Sequence, residues 1–99
     1  MIVISLDPVK EQTITATINN QPCTMRLVQR ESGMYIDLYK NDTPVCLGVP
    51  CLYANKIVRY SYLGFAGDLV FLDTQGQEDP HYTGLGTRFT LNYLEPDNV

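Results

Sequence analysis

Tryptophan is absent from the 99-residue sequence, histidine occurs once, as His81, and lysine and arginine together number only seven. Each scarcity excludes something. With one imidazole, any Ser-His-Asp or Cys-His arrangement has to use His81, which lies in Asp79-Pro80-His81-Tyr82, a polar stretch that reads as a solvated loop. Paired carboxylates need a cleft that raises one pKa. Asp68 and Asp73 merely flank an apolar run, where acidic residues are ordinary turn chemistry. The glycines of Gly64-Phe65-Ala66-Gly67 and Gly84-Leu85-Gly86 precede neither a helix N-terminus nor a Lys-Ser/Thr pair, so neither loop is a phosphate cradle. The sequence therefore predicts a protein that is not an enzyme and needs no cofactor.

The basic residues are also dispersed, as Lys10, Arg26, Arg30, Lys40, Lys56, Arg59 and Arg88, against eleven carboxylates and a net charge of −4. Nucleic-acid binders draw most of their affinity from a basic stripe, so nucleic acid is not expected as a partner, and an anionic membrane surface is disfavoured for the same reason. No apolar run approaches a membrane span. Residues 2–6 are apolar but lack the basic flank and length of a signal peptide. They read as a strand, and synthesis and residence in a cytosol are the expectation. The three cysteines, Cys23, Cys46 and Cys51, show no Cys-x-x-Cys spacing. A Cys3His zinc site with His81 is arithmetically open, and a Cys46–Cys51 disulfide is geometrically conceivable. Cys23 and Cys46 fall among apolar strand residues, which predicts small buried hydrophobes, no metal and three free thiols.

What the sequence does contain is β punctuation. Apolar residues make up 44% and charged residues 18%, a globular composition, and the length suits one domain over residues 1–99. Alternating segments recur about every ten residues between turn signals. They are Ile2–Leu6, Gln12–Ile18, Pro22–Arg30, Met34–Lys40, a short Val45–Leu47, Asp68–Asp73 and Thr87–Leu94. Asn19-Asn20 supplies residues that tolerate left-handed backbone, as a tight hairpin needs, and Asn41-Asp42-Thr43-Pro44 reads as a turn into the short strand. Cys51–Leu63 reads either as a bulged strand or as a single helical turn around Ala54-Asn55-Lys56. Any short helix is expected within Pro50–Val58. Gln77–Gly86 forms the longest polar loop, and residues 95–99 form a loose tail. The fold class that follows is all-β, a small antiparallel sandwich or partly open barrel of about seven or eight short strands.

Seven tyrosines in a chain without tryptophan point toward protein interfaces, where tyrosine buries area at low entropic cost. Tyr35, Tyr39 and Tyr93 lie inside strands, where tyrosine is simply a good strand residue. Arg59, Tyr60, Tyr62 and Phe65 crowd an irregular segment bracketed by glycine, and His81 and Tyr82 sit in the long polar loop. These six are the candidate partner-interface residues. For Tyr60, Tyr62 and Phe65 a role in closing the core is the competing reading. For Tyr82 a core role is not expected.

Taken in order, the segments are similar to one family. They are the strand ending in Asp7-Pro8, the Gln12–Gln21 hairpin, Met34–Tyr39, Gly48-Val49-Pro50, Arg59-Tyr60-Ser61-Tyr62-Leu63-Gly64-Phe65-Ala66-Gly67-Asp68-Leu69, and Leu85-Gly86-Thr87-Arg88-Phe89-Thr90-Leu91-Asn92-Tyr93. The chain resembles the small baseplate plug proteins of contractile-tailed bacteriophages, most distinctively in Tyr60–Leu69 and Leu85–Tyr93. The resemblance implies a structural virion component in the tail baseplate, assembled in the host cytoplasm. Several copies would pack against hub and tube proteins. It carries over no catalytic or binding residue. A single-stranded nucleic-acid binder of barrel type and a host-directed inhibitor are the alternatives, and the charge pattern disfavours both.

Overall fold

Turn chemistry builds the first sheet. In the computed structural model, which describes residues 2–59 and 64–96, Asn19 and Asn20 take φ of 51° and 61°, and Asn41 and Asp42 take 50° and 63°. Two consecutive left-handed residues are what a two-residue type I′ hairpin requires, and Asn and Asp tolerate them best. These turns join β2 (Glu11–Ile18) to β3 (Gln21–Arg30) and β4 (Gly33–Lys40) to β5 (Thr43–Pro50), with Glu31-Ser32 between β3 and β4. The result is a four-stranded antiparallel sheet in the order β2-β3-β4-β5. Its register sets Ile14 opposite Met25, Met25 opposite Leu38 and Leu27 opposite Ile36, so the apolar residues share one face.

The second sheet has the order β1-β7-β6, from β1 (Ile2–Ile4), β6 (Asp68–Asp73) and β7 (Phe89–Leu94), again antiparallel. Leu69, Phe71, Leu91 and Tyr93 line its inner face and join Met25, Leu27, Ile36 and Leu38 in a single buried cluster. The chain is thus an all-β sandwich of two antiparallel sheets. All three cysteines are free; Cys23 and Cys51 are buried and Cys46 is half-buried.

Three segments differ from the sequence expectation. β5 is longer than Val45–Leu47, because the type I′ turn delivers the chain into pairing at Thr43 and two bulges accommodate the residues that follow. Residues 51–59 form neither a regular strand nor a helical turn. They run along the edge of β6, with Ala54 N–H donating to the Phe71 carbonyl at 2.8 Å and Ile57 N–H to the Leu69 carbonyl at 2.9 Å. Ala54 has φ of 58°, which no right-handed helix permits. The expected short helix appears instead as a 3-10 turn at Tyr82–Gly84. Residues 60–63 and 97–99 of the expected irregular segment and tail lie outside the described residues.

One polar group ties the two sheets together. Ala66 N–H donates to Gln21 Oε1 of β3 at 2.8 Å, and its carbonyl accepts from Gln21 Nε2 at 3.1 Å and from the Tyr93 hydroxyl of β7 at 2.6 Å. Gly67 makes room for this: at φ of 91°, it leaves no space for a Cβ between the Leu94 carbonyl and the Tyr93 ring. Phe65 packs edge-on against Tyr93 with centroids 6.1 Å apart and is only 3% exposed. Of its two readings, the structure places Phe65 in the core. Phe65→Ala is accordingly expected to cost about 3–5 kcal/mol in chemical denaturation; a loss below about 1 kcal/mol would be that of a surface residue.

Candidate functional site

Strand β3 serves as a ruler for the candidate interface residues. Gln21 begins it and holds Ala66, next to Phe65. Gln29, eight residues on, accepts a hydrogen bond at Oε1 from Tyr82 N–H at 3.1 Å. At 3.3 Å per residue these positions are about 26 Å apart, in a molecule whose longest extent is 30 Å. The four candidate residues among the described ones therefore do not form one patch. Phe65 and Arg59 belong to one end of the sandwich, and His81 and Tyr82 to the other. Tyr60 and Tyr62 lie outside the described residues.

At the first end, the buried Asp68 carboxylate organises the backbone. It accepts from Val58 N–H and Arg59 N–H at 2.8 Å each and from Leu69 N–H at 2.7 Å. Arg59 takes φ of 72° under this hold, and its exposed side chain donates from Nε to the Lys56 carbonyl at 2.9 Å.

At the second end, His81 caps the 3-10 turn, with Nδ1 2.8 Å from Thr83 Oγ1 and its ring 4.7 Å from that of Tyr82. Tyr82 is half-buried and packs against the core, a role the loop composition did not suggest, because its partners come from the distant β3. Lys10 Nζ stands 5.7 Å from the Tyr82 ring centroid, within cation–π range. Lys10, Gln29, Arg30, Glu31, His81 and Tyr82 line an open basin of about 670 Å³. Among the described residues the ion pairs involve only Arg26 and Arg88, so Lys10 and Arg30 line this basin without an ion pair, with the Glu31 carboxylate beside them in the lining. Sequence reasoning missed both, because only the fold sets the end of β3 beside the loop.

That loop is fixed by a second clamp. The Asp73 side chain is fully buried and accepts from Arg88 Nε at 2.9 Å and Nη2 at 2.8 Å. It also accepts from Gln75 N–H at 2.9 Å and Glu78 N–H at 3.0 Å. Tyr53 N–H donates to Asp79 at 2.9 Å, which fastens the loop to the segment beside β6. Burial raises all three thiols, Cys46 to about 11, with the charges of Asp68 and Asp37 adding to the effect. Among the described residues no three His, Cys, Asp or Glu side chains gather as a metal site.

The Arg88 guanidinium, with the two N–H donors, holds the Asp73 carboxyl well below the usual carboxylate range. A carboxyl whose folded value lies below its unfolded value of about 3.9 stabilises fully above that value and loses the contribution as pH falls toward the folded one. Asp73→Asn is therefore expected to lower stability near pH 7, with the gap to wild type narrowing near pH 3. An equal gap at both pH values, measured by urea denaturation, would contradict the clamp.

Comparison with known proteins gives the frame for these observations. A family model described as cyanophage baseplate Pam3 plug gp18 matches residues 1–96. No individual curated protein matches the chain. The match takes in both sheets, the Ala66 tie, the Asp73–Arg88 clamp and the Tyr82 basin, and on that extent the chain belongs to the cyanophage baseplate plug family.

Proposed function

We propose that residues 1–99 act as one β domain that plugs or joins the hub of a contractile phage tail baseplate by binding other proteins, several copies in each particle, after assembly in the host cytoplasm. The observation that carries this reading is the family match over residues 1–96. The surface is consistent with it. A net charge of −4 and a rigid two-sheet body suit neither phosphate tracking nor catalysis, whereas rigid exposed groups suit docking without ordering cost. The basin at Lys10, Arg30 and His81 would take an acidic side chain of one neighbour, with the Tyr82 ring as its apolar floor. Arg59 would meet a second neighbour at the opposite end, and Tyr60 and Tyr62 are proposed as partner residues on their sequence alone. Two contacts at opposite ends are what a part seated between a tube and a hub requires.

Native mass spectrometry of the chain mixed with baseplate hub and tube proteins tests this. A complex of defined stoichiometry is expected, and charge reversal by Lys10→Glu with Arg30→Glu, at exposed positions, should weaken it at least tenfold, or about 1.4 kcal/mol. No complex with either protein, alongside a stable complex with a single-stranded oligonucleotide, would overturn the reading in favour of nucleic-acid binding. A hub complex indifferent to the charge reversal would instead move the contact away from the basin.

A further inference from the structure

Sheet edges expose rows of backbone donors and acceptors, and folded proteins normally blunt them. Here three of the four are blunted. β5 carries Pro44 and Pro50, a Gly48 at φ of 63° and two register shifts against β4. β1 is three residues long and soon meets Asp7-Pro8. The outer edge of β6 is occupied by residues 53–57. β2 is different: eight residues in unbroken register with β3, without proline or bulge.

The hairpin geometry determines which of its groups face outward. Ile18 and Gln21 flank the two-residue turn and form a hydrogen-bonded pair, so Gln12, Ile14 and Ala16 also bond inward to β3. Gln29 N–H donating to the Lys10 carbonyl continues the same alternation. The N–H and C=O groups of Glu11, Thr13, Thr15 and Thr17 therefore point to the free edge, and all four residues are exposed. Among the described residues no backbone or side-chain group bonds to them.

We propose that this edge pairs with the same edge of a second copy, antiparallel about a two-fold axis at Ile14. This inference does not rest on the baseplate reading. The strand is self-complementary in that register: Glu11 faces Thr17 of the other copy, Thr13 faces Thr15, and each pair is of the hydrogen-bonded kind. The two Glu11 carboxylates end six residues apart, about 20 Å, so the only charge on the edge meets no like charge. Side chains stay on their own faces, threonine against threonine outside and Ile14 against Ile14 inside, where Ile14 and Ala16 are only partly covered within one copy. The ladder stops by itself beyond Glu11, because Val9 N–H is already donated to the Asp7 carbonyl and Pro8 has none to give. The two four-stranded sheets become one continuous sheet.

Sedimentation velocity across a concentration series tests the association, and cysteine cross-linking with oxidised glutathione tests the register. The purified chain is expected to dimerise reversibly. Thr15→Pro removes an outward N–H that the native ladder does not use, so it should weaken dimerisation at least tenfold while the melting temperature stays near that of wild type. At the two-fold axis Ile14→Cys should give a disulfide-linked dimer, and Thr17→Cys, remote from its own copy in this register, should not. The purified wild type, with two of its three thiols buried, sets the background. A chain that remains monomeric throughout, or a dimer that Thr17→Cys cross-links as readily as Ile14→Cys, would overturn the proposal. The cysteine contrast decides even if Thr15→Pro fails to fold.

Discussion

The peptide group of Ala66 is held from both sheets at once, and the arrangement of the molecule depends on it. Two sheets stacked on apolar side chains alone can slide, since burial is non-directional. Hydrogen bonds are directional, so part-buried bonds converging on one residue fix a position that burial alone leaves free. Gln21 of β3 satisfies both groups of Ala66, and Tyr93 of β7 adds a bond to the same carbonyl. The relative position of the sheets is thereby fixed at one end, and Phe65 is drawn into the core as the neighbour of that node.

The other end is fixed differently, by an ion pair between the buried Asp73 carboxylate and the half-buried Arg88 rather than by a peptide. Asp73 leaves β6 and immediately receives Arg88 from just before β7, which closes a long connection into a set shape. Gln29 then takes the N–H of Tyr82 from that connection. The same residue type at both ends of β3 thus positions two separate surfaces, one around Arg59 and one around the Tyr82 basin. Their separation follows from the length of one strand. The contacts proposed for these two surfaces would move together as a rigid body, which preserves geometry better than loops carried on flexible supports.

Much of this was legible in the sequence because strand burial has period two. Met25 and Leu27 against Thr24 and Arg26, or Ile36 and Leu38 against Tyr35 and Asp37, announce their faces without reference to anything else. The Asn19-Asn20 turn was equally visible, since Asn-Asn states its own backbone preference, whereas Asn41–Pro44 read as a four-residue turn and hid the start of β5 at Thr43. Residues 51–59 were not, because their hydrogen bonds go to β6 and Ala54 adopts a left-handed conformation that alanine does not advertise. Phe65 and Tyr82 both sit in glycine-bracketed segments, and the sequence offered a core role for the first and none for the second, although both pack against the core. Their burial was decided by Gln21 and Gln29, each about fifty residues distant in the chain. Lys10 and Arg30 seemed scattered for the same reason.

The stretches that carry the family resemblance prove to be the ones that build the frame. Gly67 sits under Tyr93, Gly86 takes φ of 83° where a Cβ would strike the Leu6 carbonyl, and Arg88 clamps Asp73. The most direct measurement of this account is a double-mutant cycle on Gln21→Leu and Tyr93→Phe by chemical denaturation. If both side chains serve the Ala66 carbonyl, their effects should depart from additivity by roughly 0.5 kcal/mol or more; additivity within about 0.3 kcal/mol would show that the two sheets are not joined through that group.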